Sequence, residues 1–272
     1  QPYELAYLAF TKKAATEALT RAVDKFDYDD DQLIYFRTIH SLCYFWQGLT
    51  RSDILDRKDL RAFSKLVGER INSAWDGENL MALNSVGDNM LFLENMARNT
   101  CKTYRDSWNT AQSDISWIHF DWFCSSYNNF KQTNFLMDYT DMLSGFMNFD
   151  TKPPLKALIV DEAQDLSALQ WKCIHKLAQG LDHVYIAGDD DQAIYKWAGA
   201  DTDHFINLAG NEIYLEQSYR VPKKVHDVAL NIVKRIKKRR HKPWIPREEE
   251  GSVTYHNSYE HIDYSEGEWL FL

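Results

Sequence analysis

The chain has 272 residues, of which 44% are hydrophobic, 26% charged and 14% aromatic. These values are typical of a folded globular protein and exclude wholesale disorder. No apolar run approaches the ~18 residues of a membrane-spanning helix, so no membrane association is expected. The 4 cysteines contain no C-x-x-C pair. This spacing argues against a zinc ribbon or a disulfide scaffold and favours a reducing, intracellular (cytoplasmic) compartment.

The charge is distributed unevenly. The whole chain carries -9, which by itself argues against a nucleic-acid partner. Residues 220–247, however, hold eleven Lys or Arg and a single acid, Asp227, so this segment carries +10 and the other 244 residues carry -19. A solvated basic helix and a surface that contacts phosphates both explain such a segment.

The first fifty residues predict two strands, each followed by a helix. The apolar run at 3–10 predicts a strand, and the spacing of small apolar residues over 12–23 predicts a helix with Thr11 as its N-cap. Residues 33–36 predict a second buried strand. Thr38 is then expected to cap the helix that contains Trp46.

The next hundred residues differ in character. Residues 52–148 show helical spacing and polar breaks, and they predict a mostly helical insert without strands. Aromatic side chains are dense in this insert. They are interpreted first as its core and otherwise as a contact surface for a protein partner or a nucleic-acid duplex: Trp108, Trp117, Phe120, Trp122, Phe123, Tyr127 and Phe130.

Strand signals return in the second half of the chain. Apolar runs at 155–160 and 183–187 flank a predicted helix at 167–179, and acidic residues follow each run. Apolar strands that alternate with helices predict a parallel α/β sheet, whose ligands bind beyond the carboxyl ends of the strands. A further amphipathic helix is predicted from residue 223 to about 240, and residues 252–256 resemble the start of another strand.

Chemistry-bearing residues follow both strands. Asp161 and Glu162 end the first one, as carboxylates do where an NTPase orients Mg2+ and polarises the attacking water. Acids that cap the next helix would explain them equally well. The second strand leads into a glycine turn, an amide side chain (Gln192) and two aromatic residues, Tyr195 and Trp197. The aromatic rings could stack on bases, although alone they would be interpreted as core residues.

Five segments in one order identify a family resemblance. The segments are FTKKAA (10–15), TIHS (38–41), DEAQD (161–165), GDDDQAIYKWAGA (188–200) and EQSYR (216–220). They resemble helicase motifs Ia, Ib, II, III and IV of superfamily 1, the UvrD/Rep/PcrA type. The resemblance implies a RecA-like parallel-sheet motor domain (1A, residues 1–51 and 149–214), a helical insert (1B, 52–148) and the start of a second RecA-like domain (2A, 215–272).

The resemblance also implies roles for single residues. Asp161 corresponds to the magnesium ligand, Glu162 to the general base and Gln192 to the residue that contacts the γ-phosphate of ATP. Tyr219 corresponds to the aromatic residue beside the adenine, and Arg220 to an arginine finger. The remaining matches are expected to line a track for single-stranded DNA: Phe10, Thr11, Lys12, Thr38, His40, Tyr195 and Trp197.

Two departures from the family pattern limit the expected activity. The phosphate-binding loop G-x-x-x-x-G-K-[ST] does not occur in the 272 residues, and motifs V and VI are not found. The resemblance therefore implies part of an ATP-dependent DNA helicase, with 3′-to-5′ polarity, that is inactive by itself. Two alternatives stay open: a relative that binds single strands without hydrolysing ATP, and a two-metal nuclease that uses Asp161, Asp165 and the acids 189–191.

Overall fold

The computed structural model describes residues 1–72, 85–111, 114–258, 260, 262–265 and 269. The chain forms two compact units, residues 1–208 and residues 209–272. No helix within the described residues has the length and apolar character needed to cross a membrane.

A four-stranded parallel sheet forms the centre of the first unit. Its strands are β1 (Leu5–Ala9), β2 (Phe36–Thr38), β3 (Ala157–Val160) and β4 (His183–Ile186). They lie in the order β2-β1-β3-β4. Leu8 pairs with Val160, which pairs with Ile186, so these strands end at one edge of the sheet. The predicted parallel α/β fold is confirmed, with β4 as a largely exposed outer strand.

Helices near the sheet begin where the sequence predicts them. The first two are α1 (Lys12–Phe26) and α2 (Ile39–Trp46). The Thr11 hydroxyl accepts a hydrogen bond from the Ala14 N–H at 3.2 Å. Thr38 caps α2 in the same way. Both caps satisfy backbone donors that a helix start leaves without partners.

Helices of the insert build a separate core. They are α3 (Arg57–Val67), α4 (Val86–Asn99), α5 (Tyr104–Thr110) and α6 (Trp117–Thr133). Phe63 is fully buried, and its ring lies 5.1–5.4 Å from those of Phe123, Tyr127 and Phe130. Most of the aromatic residues predicted for the insert are therefore core residues, as expected. Of the predicted insert, residues 73–84 and 112–113 lie outside the described residues.

Two later helices pack on the sheet. They are α7 (Tyr139–Asn148) and α8 (Ala168–Ala178), followed by the short α9 (Thr202–Ile206). Buried side chains of α7 join the same core as Leu158, Val160 and Trp171. This packing associates α7 with the sheet, although its sequence lies within the segment predicted as the insert. The boundary of the insert at residue 148 stays a prediction.

The second strand lies three residues later than predicted. A 3-10 turn at Asp30–Gln32 comes first, and the Leu33 N–H donates to the Asp30 carbonyl. The Phe36 N–H then donates to the Leu33 carbonyl, so β2 begins only at Phe36. Leu33 and Tyr35 are nevertheless buried. The apolar pattern therefore indicates correctly that these side chains are buried. It does not reveal the 3-10 turn, which delays the start of the strand.

The second unit also differs from the prediction. Its helix α10 spans Lys223–Val233 and does not continue to 240. The Arg235 and Ile236 N–H groups close tight turns instead. Six of the seven residues at 234–240 are Lys or Arg, and a helix would crowd these like charges together. No strand forms at 252–256. In the described part of this unit, the β-pairing is one isolated bridge between Gln217 and Ile245, so a strand there has no partner.

Candidate functional site

Asp161 lies at the carboxyl end of β3 and is held by two donors. The Tyr7 hydroxyl on β1 donates to Asp161 Oδ2 at 2.5 Å, and the Glu162 N–H donates to Oδ1 at 3.0 Å. The Asp161 N–H continues the sheet by donating to the Leu8 carbonyl at 2.8 Å. Burial and then the bond to Asp161 raise the pKa of Tyr7, so the hydroxyl stays protonated as a donor. The Asp161 side chain is therefore fixed before any ligand binds.

The donor set at Asp161 suits a magnesium ion. Each carboxylate oxygen receives one hydrogen bond and retains a further lone pair. Mg2+ typically takes one or two carboxylate oxygens and completes its shell with water and phosphate oxygens. Asp161 fits the role of that carboxylate ligand.

Glu162 has an unusual backbone conformation. Its φ is +51°, in the left-handed region that costs a residue with a side chain about 1 kcal/mol or more. The side chain is exposed, and its Oε2 accepts a hydrogen bond from Gln164 Nε2 at 2.8 Å. The sharp turn projects the carboxylate beyond the sheet edge, where it is available to a water molecule.

The loop after β4 is joined to the end of β3. The Ala187 N–H donates to the Val160 carbonyl at 2.7 Å, and the Ala163 N–H donates to the Ala187 carbonyl at 3.0 Å. Gln192 follows in a 3-10 turn, with an exposed side chain whose Nε2 donates to Asp189 Oδ2 at 2.6 Å. The sheet therefore presents Glu162 and Gln192 at the same edge.

Aromatic residues from three segments meet next to this edge. The Phe10 and Tyr195 ring centroids lie 5.2 Å apart, and those of Tyr195 and Trp197 lie 6.3 Å apart. These three rings line one small cavity together with His40. Trp197 remains 43% exposed, which is high for a core tryptophan. Four of the seven residues expected to line a DNA track are thus brought together by the fold.

Two titratable side chains face the same cavity. Asp165 is buried, and its Oδ1 has no hydrogen-bond partner within the described residues. Burial, followed by the negative charge of Glu162, raises the pKa of Asp165 to about 6. Burial lowers the pKa of His40 to about 4, so its imidazole is neutral and packs edge-on against Tyr139.

The other expected residues have these positions. Thr11 and Thr38 use their hydroxyl groups as helix caps, and Lys12 is exposed at the first residue of α1. Tyr219 and Arg220 lie in the second unit, where both side chains are exposed. The carboxylates at 189–191, named for the nuclease alternative, approach within 4.8 Å of one another. No ligand role for these residues follows from their positions alone.

Three contributors to the site were not assigned from the sequence. They are Tyr7, which orients Asp161, Gln164, which bonds to Glu162, and Gly188, whose lack of a side chain admits Gln164. Sequence signals existed for Gln164, an amide within a run of acids at a buried strand end, and for Gly188, a glycine directly after an apolar run. Tyr7 could not be found in this way, because its contact depends on the β1–β3 register.

Comparisons with known proteins show the family of the chain. The sequence profile of the UvrD/REP helicase N-terminal domain matches residues 1–212. A Staphylococcus aureus protein named ATP-dependent DNA helicase PcrA is 27% identical over 268 residues, which cover 89% of this chain and 35% of the relative. A Staphylococcus epidermidis protein of the same name is 25% identical, covering 97% and 38%. The chain thus spans little more than a third of these relatives.

Proposed function

Because the chain belongs to the UvrD/REP helicase N-terminal domain family, we propose that it forms the hydrolytic edge and the DNA track of an ATP-dependent DNA helicase. Its substrate is single-stranded DNA, along which the intact motor moves 3′ to 5′. One observation carries the proposal. The ends of β3 and β4 present Asp161, Glu162 and Gln192 at a single edge, next to the rings of Tyr195 and Trp197.

Each residue at the edge then has a defined task in hydrolysis. Asp161, held by Tyr7, offers a carboxylate oxygen to Mg2+, which when bound neutralises charge on the phosphates. Glu162 accepts the proton of the water that attacks the γ-phosphate. Gln192 donates a hydrogen bond to that phosphate. For Tyr219 and Arg220, which lie in the second unit, the adenine contact and the arginine-finger role stay predictions from the family resemblance.

The aromatic rings serve the nucleic acid. Phe10, Tyr195 and Trp197 present ring faces on which bases stack without regard to sequence. Such stacking needs unpaired bases, which favours single strands over duplex. The exposed Lys12 supplies a positive charge for a phosphate close by.

Phosphate binding requires a further element. None of the 272 residues forms the G-x-x-x-x-G-K-[ST] loop, which supplies backbone donors and a lysine to the phosphates. We therefore propose that turnover needs such a loop in addition to these residues. The chain by itself is expected to bind DNA but not to hydrolyse ATP.

Substitution of a track residue is expected to weaken DNA binding. Trp197→Leu and Tyr195→Leu each remove one stacking ring, so the Kd for a labelled oligothymidine should rise roughly tenfold. Fluorescence anisotropy at fixed salt measures this change. Trp122→Leu is the matched control, because Trp122 is also exposed but lies on α6 in the insert. Unchanged binding by both track variants, or equal binding of duplex, would contradict the proposed track.

Hydrolysis tests the role of Glu162. The chain alone should show no turnover with or without single-stranded DNA. In a protein that joins these residues to a phosphate-binding loop, Glu162→Gln should reduce DNA-stimulated turnover by about 100-fold or more. Glu17→Gln, an exposed substitution on α1, should leave it unchanged. Turnover by the chain alone would mean that another element holds the phosphates. DNA binding with no effect of Glu162→Gln would favour the non-hydrolysing relative.

A further inference from the structure

Gln164 is a buried glutamine that makes three hydrogen bonds with its side chain. It is 1% exposed. Its Nε2 donates to Glu162 Oε2 at 2.8 Å and to Asp165 Oδ2 at 3.2 Å. Its Oε1 accepts from the Asp189 N–H at 3.0 Å. Donor and acceptor ends of one amide therefore connect the loop after β3 with the loop after β4.

The hydrogen bonds continue from Asp189 to Gln192. The Asp189 N–H is bound to Gln164, while Asp189 Oδ2 accepts from Gln192 Nε2 at 2.6 Å. The path from Glu162 to Gln192 thus consists of three consecutive hydrogen bonds. We call this path the amide relay, and its members are Glu162, Gln164, Asp189 and Gln192.

Gly188 makes room for the relay. A Cβ at this position would lie 2.5 Å from Gln164 Oε1 and 3.2 Å from the Ala163 nitrogen. The first distance is far below a normal contact distance, and Gln164 Oε1 is the atom that accepts the hydrogen bond from the Asp189 N–H. Any side chain at 188 would displace the Gln164 amide from the Asp189 N–H.

From these contacts we infer that Gln164 is a positioning residue, which couples the Glu162 carboxylate to the Gln192 loop. The roles of Glu162 as base and Gln192 as γ-phosphate contact rest on the proposed function, whereas the hydrogen bonds do not. Through the relay, a displacement of Gln192 by the γ-phosphate is transmitted to the carboxylate that takes the proton from water. The base and the phosphate contact then move as one unit.

A glutamine suits this position better than its nearest analogues. A glutamate keeps an acceptor for the Asp189 N–H, but as a carboxylate it cannot donate to Glu162 and Asp165, both acids. A methionine fills similar space and offers neither a donor nor a strong acceptor. The two variants therefore remove different parts of the relay while conserving volume.

Nuclear magnetic resonance of the isotope-labelled chain tests the coupling directly. Glu162→Ala should shift the Asp189 amide signal and the Gln192 side-chain amide signal. When combined with Gln164→Met or Gln164→Glu, Glu162→Ala should no longer shift the Gln192 signal. A residue with a merely structural role would lower stability without abolishing this transmitted shift. Signals that still respond to Glu162→Ala in both Gln164 variants would overturn the inference.

Gln170→Met provides a matched control. Gln170 is also a buried glutamine, and its Oε1 accepts a hydrogen bond from the Ser167 N–H at the start of α8, outside the relay. Glu162→Ala should shift the Asp189 and Gln192 signals as strongly in the Gln170→Met background as in the unmodified one. Loss of the shift in this control background would show a general packing effect and would likewise overturn the assignment to Gln164.

A second measurement needs no variant at Gln164. In the unmodified chain the Asp189 amide should exchange its hydrogen at least about fivefold more slowly than an unbonded loop amide, because it is bound to Gln164 Oε1. Rapid exchange of this amide would overturn the relay. Both experiments use neither ATP nor DNA. Unchanged turnover of Glu162→Gln in the protein with a phosphate-binding loop would therefore contradict the proposed function alone, and failure of the transmitted shift would contradict the amide relay alone.

Discussion

Arg98→Met is expected to lower the free energy of unfolding of the first unit by about 3–5 kcal/mol, because it leaves buried carboxylates without their main partner. The Arg98 guanidinium contacts Glu94 at 2.8 Å, Asp138 at 2.5 Å and Asp141 at 2.8 Å. The Glu94 side chain is fully buried and that of Asp138 is 10% exposed. Neither can recover its lost interaction from water.

Lys131 cannot replace Arg98. It already contacts Asp138 at 2.7 Å and Asp141 at 2.6 Å. Burial alone would raise the pKa of Asp138, but Arg98 and then Lys131 hold it well below its usual range. Burial raises the pKa of Glu94 even with Arg98 present. Without Arg98, one lysine would face three acids.

Urea unfolding of the variant and of a matched control measures this effect. Arg21→Met removes an exposed arginine that pairs with Glu17 on α1, and such a pair contributes less than about 1 kcal/mol. A loss below about 1 kcal/mol for Arg98→Met would contradict a stabilising role of this network, which consists of the ion pairs made by Arg98 and Lys131. The network joins α4 and α6 to α7, so it connects the insert to a helix that packs on the sheet.

Local features of the fold could be predicted from the sequence because neighbouring residues produce them. The caps at Thr11 and Thr38 depend on a hydroxyl three residues before a backbone N–H, a relation visible in the sequence. The strands β1, β3 and β4 are short apolar runs, and acids or a glycine follow closely after β3 and β4. From these strand ends, Asp161 and Glu162 are predicted after β3 and Gln192 after β4, beyond the carboxyl ends of the strands.

Long-range features could not be predicted in this way. Tyr7 and Asp161 are separated by 154 positions and meet only through the register of β1 on β3. The Gln164 amide relay likewise depends on how closely the end of β4 approaches the end of β3. Arg98 and Asp138 form an ion pair across 40 positions, and neither residue stands out in a charged sequence. Such contacts are properties of packing and leave no periodic signal.

Hydrophobic spacing gave a wrong end for α10, where basic residues crowd the same segment. The apolar positions on α10 continue to Ile236, which favoured a helix to residue 240. The crowded basic residues after Val233 oppose that continuation, and tight turns form there instead. Hydrophobic spacing indicates which face a helix would bury. It does not indicate where electrostatic repulsion ends the helix.

Asp165→Asn is expected to stabilise the chain in a pH-dependent manner. The pKa of Asp165 in the fold is about 6, against an ordinary value of 3.8, so folding opposes its ionisation. A raised pKa contributes stability that is present below pH ~4 and is lost as the pH rises through ~6. The difference between a pKa of 3.8 and one of about 6 corresponds to roughly 3 kcal/mol. Asparagine cannot ionise and avoids this loss.

The difference in unfolding free energy between Asp165→Asn and the unmodified chain measures how ionisation of the Asp165 carboxyl affects stability. It should be only about 0.5 kcal/mol at pH 4 and reach about 2–3 kcal/mol in favour of Asp165→Asn at pH 7.5. His40 faces the same cavity and titrates near pH 4 in both proteins, so its contribution largely cancels. Asp121→Asn, an exposed substitution on α6, should change stability by less than about 0.5 kcal/mol at either pH.

A pH-independent difference in unfolding free energy would contradict the proposed cause, since a simple packing effect does not titrate.

The expected instability at Asp165 also bears on the function of the turn that contains it. Asp165 and the left-handed Glu162 are both unfavourable for folding, and both lie within one five-residue turn at the sheet edge. Local features that oppose stability concentrate where a chain is shaped for function. In this chain that place is the turn between the edge for which we propose hydrolysis and the aromatic rings for which we propose DNA binding.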